Sequence, residues 1–186
     1  YYLLLNPNPF DVQVQVTYLT ESGPRARPAG PVTLKANSRG TVHLGVDLGN
    51  VGGAGATFSA AGGHGIVVER SVYWGPGWIE GSNDVGVNAP AMKWLLPEGT
   101  DANTFDTYIL VTNPNPFAVS VRVQFYLEGG GRITPAQPVV IGPQSRLTID
   151  MNAPTQALAL SAADAALLAG QSFSAAVTSL TPNGPI

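Results

Sequence analysis

Cysteine is absent from the 186 residues, which excludes a disulfide framework, a thiolate metal site and a cysteine nucleophile. Charge is scarce as well. Asp, Glu, Lys and Arg make up 11% of the chain with a formal net charge of -3, against about 25% charged residues in ordinary soluble domains. No basic patch is present to attract nucleic acid or an anionic membrane surface. No apolar run approaches the roughly 18 residues of a membrane helix, and no basic start leads into an apolar stretch of signal-peptide type. The chain opens at Tyr1 inside a strand-like run, so it reads as a processed or ordered piece of something longer.

What is present favours short strands and many turns. Gly (22) and Pro (16) together supply about a fifth of the chain, without a Gly-X-Y period. A hydrophobic content of 44% is enough for a packed core.

The chain also repeats itself. Shifted by 107 residues, Tyr1–Gly45 aligns without a gap on Tyr108–Asn152 with twenty identical pairs, among them Asn6 to Phe10 with Asn113 to Phe117. After a divergent stretch, "FSA" at Phe58 aligns with "FSA" at Phe173, which gives the second copy about eight extra residues. A period near 100 residues indicates an array of whole domains, longer than a solenoid repeat.

Within each copy the apolar residues alternate. Val12, Val14, Val16 and Tyr18, matched by Val119, Val121, Val123 and Phe125, form one inward face of a strand, and Val42, Leu44 and Val46 form another. Strands are expected near 1–5, 12–20, 31–35, 39–46, 55–60 and 65–74 of the first copy. Each copy also spells an Asn-Pro-Asn-Pro-Phe corner, Asn6-Pro7-Asn8-Pro9-Phe10 and Asn113-Pro114-Asn115-Pro116-Phe117. Proline fixes φ and keeps the preceding Asn out of the helical region, so the corner redirects the chain between strands. Phe10 and Phe117 are expected to plug the sandwich ends. One helix is expected, in "LSAADAALLAG", with Ser161 as N-cap, Asp164 as its capping partner and Gly170 at the stop.

Reactive constellations are weak. His43 falls on the outward face of its strand and is read as a solvated residue, while His64 lies in a glycine-rich turn. Neither is accompanied by a G-x-S-x-G elbow, so no catalytic residue is assigned and the protein is read as non-enzymatic. "TDANTFD" places Asp101, Asn103 and Asp106 together but lacks the glycine and distal Glu of a calcium loop. It is read as a turn, and neither a metal site nor a cofactor is assigned. "GNVGGAGA" lacks the Lys-Ser/Thr of a phosphate loop. Tyr73, Trp74, Trp78 and Trp94 lie near the junction of the copies, either as packing between them or as rings for stacking on sugars.

The stretch from "GIVVERSVYWGPGW" to "NPNPFAVSVRVQFYLEGG" resembles a tandem bacterial extracellular repeat. The resemblance rests on Val67-Val68-Glu69-Arg70 with Tyr73, Gly77-Trp78 with Gly81, Trp94 with Glu98-Gly99, and Phe105-Asp106 with Tyr108 and Asn113-Pro114. Asn83-Asp84 stands where His-Asp is common in that family, which argues against a metal there. The resemblance implies a β-sandwich module of large surface or secreted proteins, without an activity to carry over. It also sets a phase in which "KWLLPEG" begins a unit and "VVERSVYW" ends one.

The expectation is an all-β chain of two tandem immunoglobulin-like sandwiches, with one short helix in the second. Residues 1–84 form the first, lacking its N-terminal segment, and residues 85–186 the second, lacking its C-terminal strand. The stretch from Gly75 to Pro90 joins them. The expected role is an extracellular or cell-surface structural module building a fibre, stalk or adhesive filament. Its expected partners are copies of itself or neighbouring repeats, with no nucleic acid and no membrane insertion. The alternative is a module that binds surface polysaccharide or another ligand through exposed Trp and Tyr.

Overall fold

Period-two alternation is realised in both halves of the chain. In the computed structural model, which describes residues 1–49, 51, 53–100, 102 and 105–186, Val12, Val14, Val16 and Tyr18 are buried along one face of a strand while Gln13 and Gln15 are exposed. The same holds for Val119, Val121, Val123 and Phe125. Tyr1–Thr20 and Pro24–Ala89 form the first unit, and Pro90–Ile186 with Glu21–Gly23 the second.

The first unit contains β1 (Tyr2–Asn6), β2 (Val12–Thr20), β3 (Gly23–Ala26), β4 (Val32–Leu34), β5 (Ser38–Val42), helix α1 (Leu44–Leu48), β6 (Ala54–Ala60), β7 (Val67–Trp74) and β8 (Glu80–Val85). One antiparallel sheet runs β5-β1-β7-β8. In the other, β2 carries β3 and β4 along one edge and β6 along its opposite edge. Tyr2, Leu4, Val12, Val14, Val16, Tyr18, Leu34, Val42 and Ala54 fill the core between the sheets.

The second unit contains β9 (Lys93–Thr100), β10 (Tyr108–Asn113), β11 (Val119–Leu127), β12 (Arg132–Ile133), β13 (Val139–Ile141), β14 (Ser145–Asp150), helix α2 (Ala162–Leu168) and β15 (Ser172–Ser179). Here β10 pairs with β14, and β11 carries β12 and β13 on one edge and β15 on the other, with β9 beyond β15. Phe125 and Phe173 meet edge to face at 5.5 Å within its core. Each unit is thus all-β and sandwich-like, as the sequence predicts. No helix among the described residues is long and apolar enough to cross a membrane.

The two registers agree residue by residue. Tyr2 faces Val42 and Asn6 faces Ser38, as Ile109 faces Ile149 and Asn113 faces Ser145. Val12 faces Leu34, as Val119 faces Ile141.

Four expectations are corrected. Tyr18 pairs with Ala56, whereas its counterpart Phe125 pairs with Ala175. Along this strand the copies are therefore 119 residues apart, twelve more than the 107 separating Tyr18 from Phe125. Phe58 corresponds to Val177, so the "FSA" match is a coincidence that lies four residues out of register. Second, the strand expected over 39–46 ends at Val42, because the His43 side chain caps α1 by accepting from the Val46 amide at 2.9 Å. Val46 points outward at 79% exposure. Third, the unit boundary lies between Ala89 and Pro90. Most of the stretch expected to join the units, and the expected division after residue 84, fall in the β7–β8 hairpin, where Arg70 pairs with Asp84 and Trp74 with Glu80. Fourth, α2 forms as predicted, with Ser161 Oγ accepting from the Asp164 amide at 3.0 Å and Gly170 at φ 68° beyond its end, but α1 is an additional helix.

Candidate functional site

The Asn-Pro-Asn-Pro corner is a buried hydrogen-bonded knot. Asn6 is fully buried; its Nδ2 donates to the carbonyls of Phe10 (2.8 Å) and Lys35 (2.9 Å), with the Leu34 carbonyl at 3.2 Å. Its Oδ1 accepts from the Asn8 amide and from Asn8 Nδ2, and Asn8 Nδ2 also donates to the Gly65 carbonyl at 2.9 Å. Asn113 does the same with Phe117, Gly142 and Ile141, and Asn115 reaches the Pro185 carbonyl at 2.7 Å. The prolines earn their place by freeing the chain of donors where the Asn side chains must enter.

The plug at each sandwich end is therefore Asn6 or Asn113, contrary to the expectation for the phenylalanines. Phe10 and Phe117 are 44% and 42% exposed, and Phe10 lies edge-on to His64 at 4.7 Å.

Of the four aromatics, Tyr73, Trp74 and Trp78 belong to the first unit and Trp94 to the second. Trp94 is half-buried against the second unit's own core, and its indole N–H donates to the Ile186 carbonyl at 2.7 Å. Tyr73 and Trp74 are exposed on adjacent residues of β7, hence on opposite faces. Trp78 is 73% exposed at the end of the 3₁₀ turn at the hairpin tip, with φ at 59° after the positive-φ glycines Gly75 and Gly77.

Other polar groups are engaged structurally. His43 caps α1 and packs edge-on to Tyr1 at 4.3 Å, which corrects its reading as a solvated side chain. Asp106 accepts from Asn152 Nδ2 at 2.7 Å, while Asp101 and Asn103 lie outside the described residues. Among the described residues no three His, Cys, Asp or Glu side chains converge.

One polar cluster joins residues 20 and 29 positions apart, so no local spacing in the sequence marks it. The Tyr18 hydroxyl donates to Asp47 Oδ2 on α1, and Arg27 Nε donates to the same oxygen at 3.0 Å. Burial, followed by the Asp47 carboxylate, holds the Tyr18 phenol well above its ordinary value. The aligned positions in the second unit carry Phe125, Thr134 and Pro154. The cluster ties α1 to the sandwich.

The feature with binding capacity is the pair of strand edges. Among the described residues, β1 is flanked by β5 and β7, but its counterpart β10 only by β14; β15 is flanked by β11 and β9, but its counterpart β6 only by β2. Burial follows pairing: Ala175, Ala176 and Val177 are buried under β9's cover, while Ala56, Phe58 and Ala60 stay half-exposed. The register also identifies the outward backbone groups. Tyr1 and Ser71 exchange both backbone bonds at 2.8 and 2.9 Å, so alternate residues Leu3 and Leu5 also turn toward β7. Their counterparts Tyr108, Leu110 and Thr112 present N–H and C=O groups on the open edge of β10.

No family model and no curated protein matches the chain. Among solved structures it is similar to the Anabaena sensory rhodopsin transducer, at 11% identity over 52% of this chain and 94% of that one, with a TM-score of 0.39, too low a likeness to carry an argument.

Proposed function

We propose that the chain is a non-enzymatic structural module of an extracellular or cell-surface protein, whose tandem sandwiches join to neighbouring repeats through strand edges. The observation that carries this reading is reciprocal: among the described residues, each unit leaves open a strand edge whose counterpart is paired in the other. An open edge is a row of unsatisfied donors and acceptors that readily pairs with another strand. Contacts of that kind, made head to tail and without closure, extend into a fibre or stalk. The resemblance to tandem bacterial surface repeats supports the same location and role. Electron microscopy of the native protein on intact cells tests it: continuous rods or filaments are expected, and isolated dispersed particles would sink the reading.

A second reading, binding of a surface polysaccharide or another ligand, draws on the exposure of Trp74 and Trp78 on one hairpin. Aromatic faces stack on sugar rings, so titration with polysaccharide should quench indole fluorescence, and Trp78→Ala should abolish the response. A flat titration would remove this reading.

A further inference from the structure

We propose that the open edge of β10 is the acceptor site for a β-hairpin of the β7–β8 type. This deepens the structural-module reading and rests on it.

The chain contains its own template for the complex. In the first unit, Leu5, Leu4, Leu3 and Tyr2 face Val67, Val68, Glu69 and Arg70, and the hairpin's second strand is held to β7 by a six-residue ladder. Superposed through the shared register, Thr112, Val111, Leu110 and Ile109 stand at the corresponding acceptor positions. The route to the edge is also shared. Asn8 holds the Gly65 carbonyl, and Asn115 holds the Pro185 carbonyl by the same bond. Ile186 therefore stands where Ile66 stands immediately before β7.

The same template defines the occupant's chemistry. Its first residues must be apolar, since Val68 packs on the first unit's core at the place opposite Leu4. Further along it needs an aromatic, since Tyr73 lies edge-on to Tyr1 at 5.9 Å and the counterpart Tyr108 is exposed. Small residues suffice in the second strand, because β8 is exposed throughout and is held by backbone bonds to β7.

The test adds a synthetic peptide of this chain's own Ile66–Gly86 sequence to the intact 186-residue chain. Saturable one-to-one binding is expected, with slowed amide exchange at Tyr108, Leu110 and Thr112 and no binding by a scrambled peptide. Leu110→Pro removes a donor that faces the open edge, leaving the β10–β14 ladder intact, and should weaken binding by about tenfold or more. As a second arm, the Val67–Gly86 sequence appended directly after Ile186 should raise the second unit's thermal midpoint and protect the same amides. Protection elsewhere, equal binding by the scrambled peptide or by Leu110→Pro, edge-to-edge dimerisation of two β10 strands, or an appended hairpin that leaves the midpoint and exchange unchanged would overturn the proposal. Filaments in native material without hairpin binding would overturn only this assignment; hairpin binding without filaments would overturn only the broader reading.

Discussion

At the scale of single residues, two side chains at the same corner have opposite energetic weights. Asn113 is fully buried with its amide group engaged at both ends, so Asn113→Ala leaves several buried backbone groups without partners. Each such group costs about 1–3 kcal/mol, so a loss of about 3 kcal/mol or more is expected in urea unfolding. Phe117, at 42% exposure, should lose only about 1 kcal/mol on truncation to Ala, because half its ring is already in water. Equal losses, or a larger one for Phe117, would contradict this account of the corner. Ser179 gives the converse case. Its buried hydroxyl has no partner in the structure, and the aligned residue in the first unit is Ala60. Ser179→Ala should be neutral or stabilising by up to about 1 kcal/mol.

Tyr18 adds a pH dependence. Its folded phenol titrates above the ordinary value of 10.0. The folded chain keeps this proton where the unfolded chain loses it, so its contribution to stability is full below pH 10 and falls as pH rises above that value. Urea unfolding on either side of that pH should show a steeper alkaline decline for the wild type than for Tyr18→Phe. Identical declines would show that this hydroxyl is not linked to folding.

At the scale of elements, what was legible in the sequence followed from local periodicity. Val12, Val14 and Val16 alternate, and β2 is in the expected place with the expected face inward. The α2 cap was equally legible, because Ser161 and Asp164 are only three residues apart. Ser161→Ala should cost about 1 kcal/mol, read as a shift of the unfolding midpoint; no shift would mean the helix is set by packing alone.

The misses arise where a local cap or a long-range contact overrides the alternation. Val42, Leu44 and Val46 alternate like a continuing strand, but the His43 cap and the Asp47 contacts to Tyr18 and Arg27 turn the chain into α1. β8 reads "EGSNDV", which has no apolar alternation to announce a strand, and its pairing is supplied by β7. The knot at Asn6 was hidden because its carbonyl partners at Leu34 and Lys35 lie 28 and 29 residues away. The "FSA" identity is local, whereas the equivalence of β6 and β15 is set by their pairing with β2 and β11.

At the scale of the whole molecule, the repeat makes each unit a control for the other. Equivalent strands β1 and β10, and β15 and β6, differ in whether their second edge is paired, and this difference is the basis of the proposed joining of repeats. Amide hydrogen exchange on the 186-residue chain tests it most directly, since backbone protection reports hydrogen bonding strand by strand. The account predicts protected amides at Leu3, Leu5, Val177 and Ser179 and fast exchange at the counterparts Leu110, Thr112, Phe58 and Ala60. Slow exchange at those four counterparts would mean that both edges are already closed, and would contradict the account.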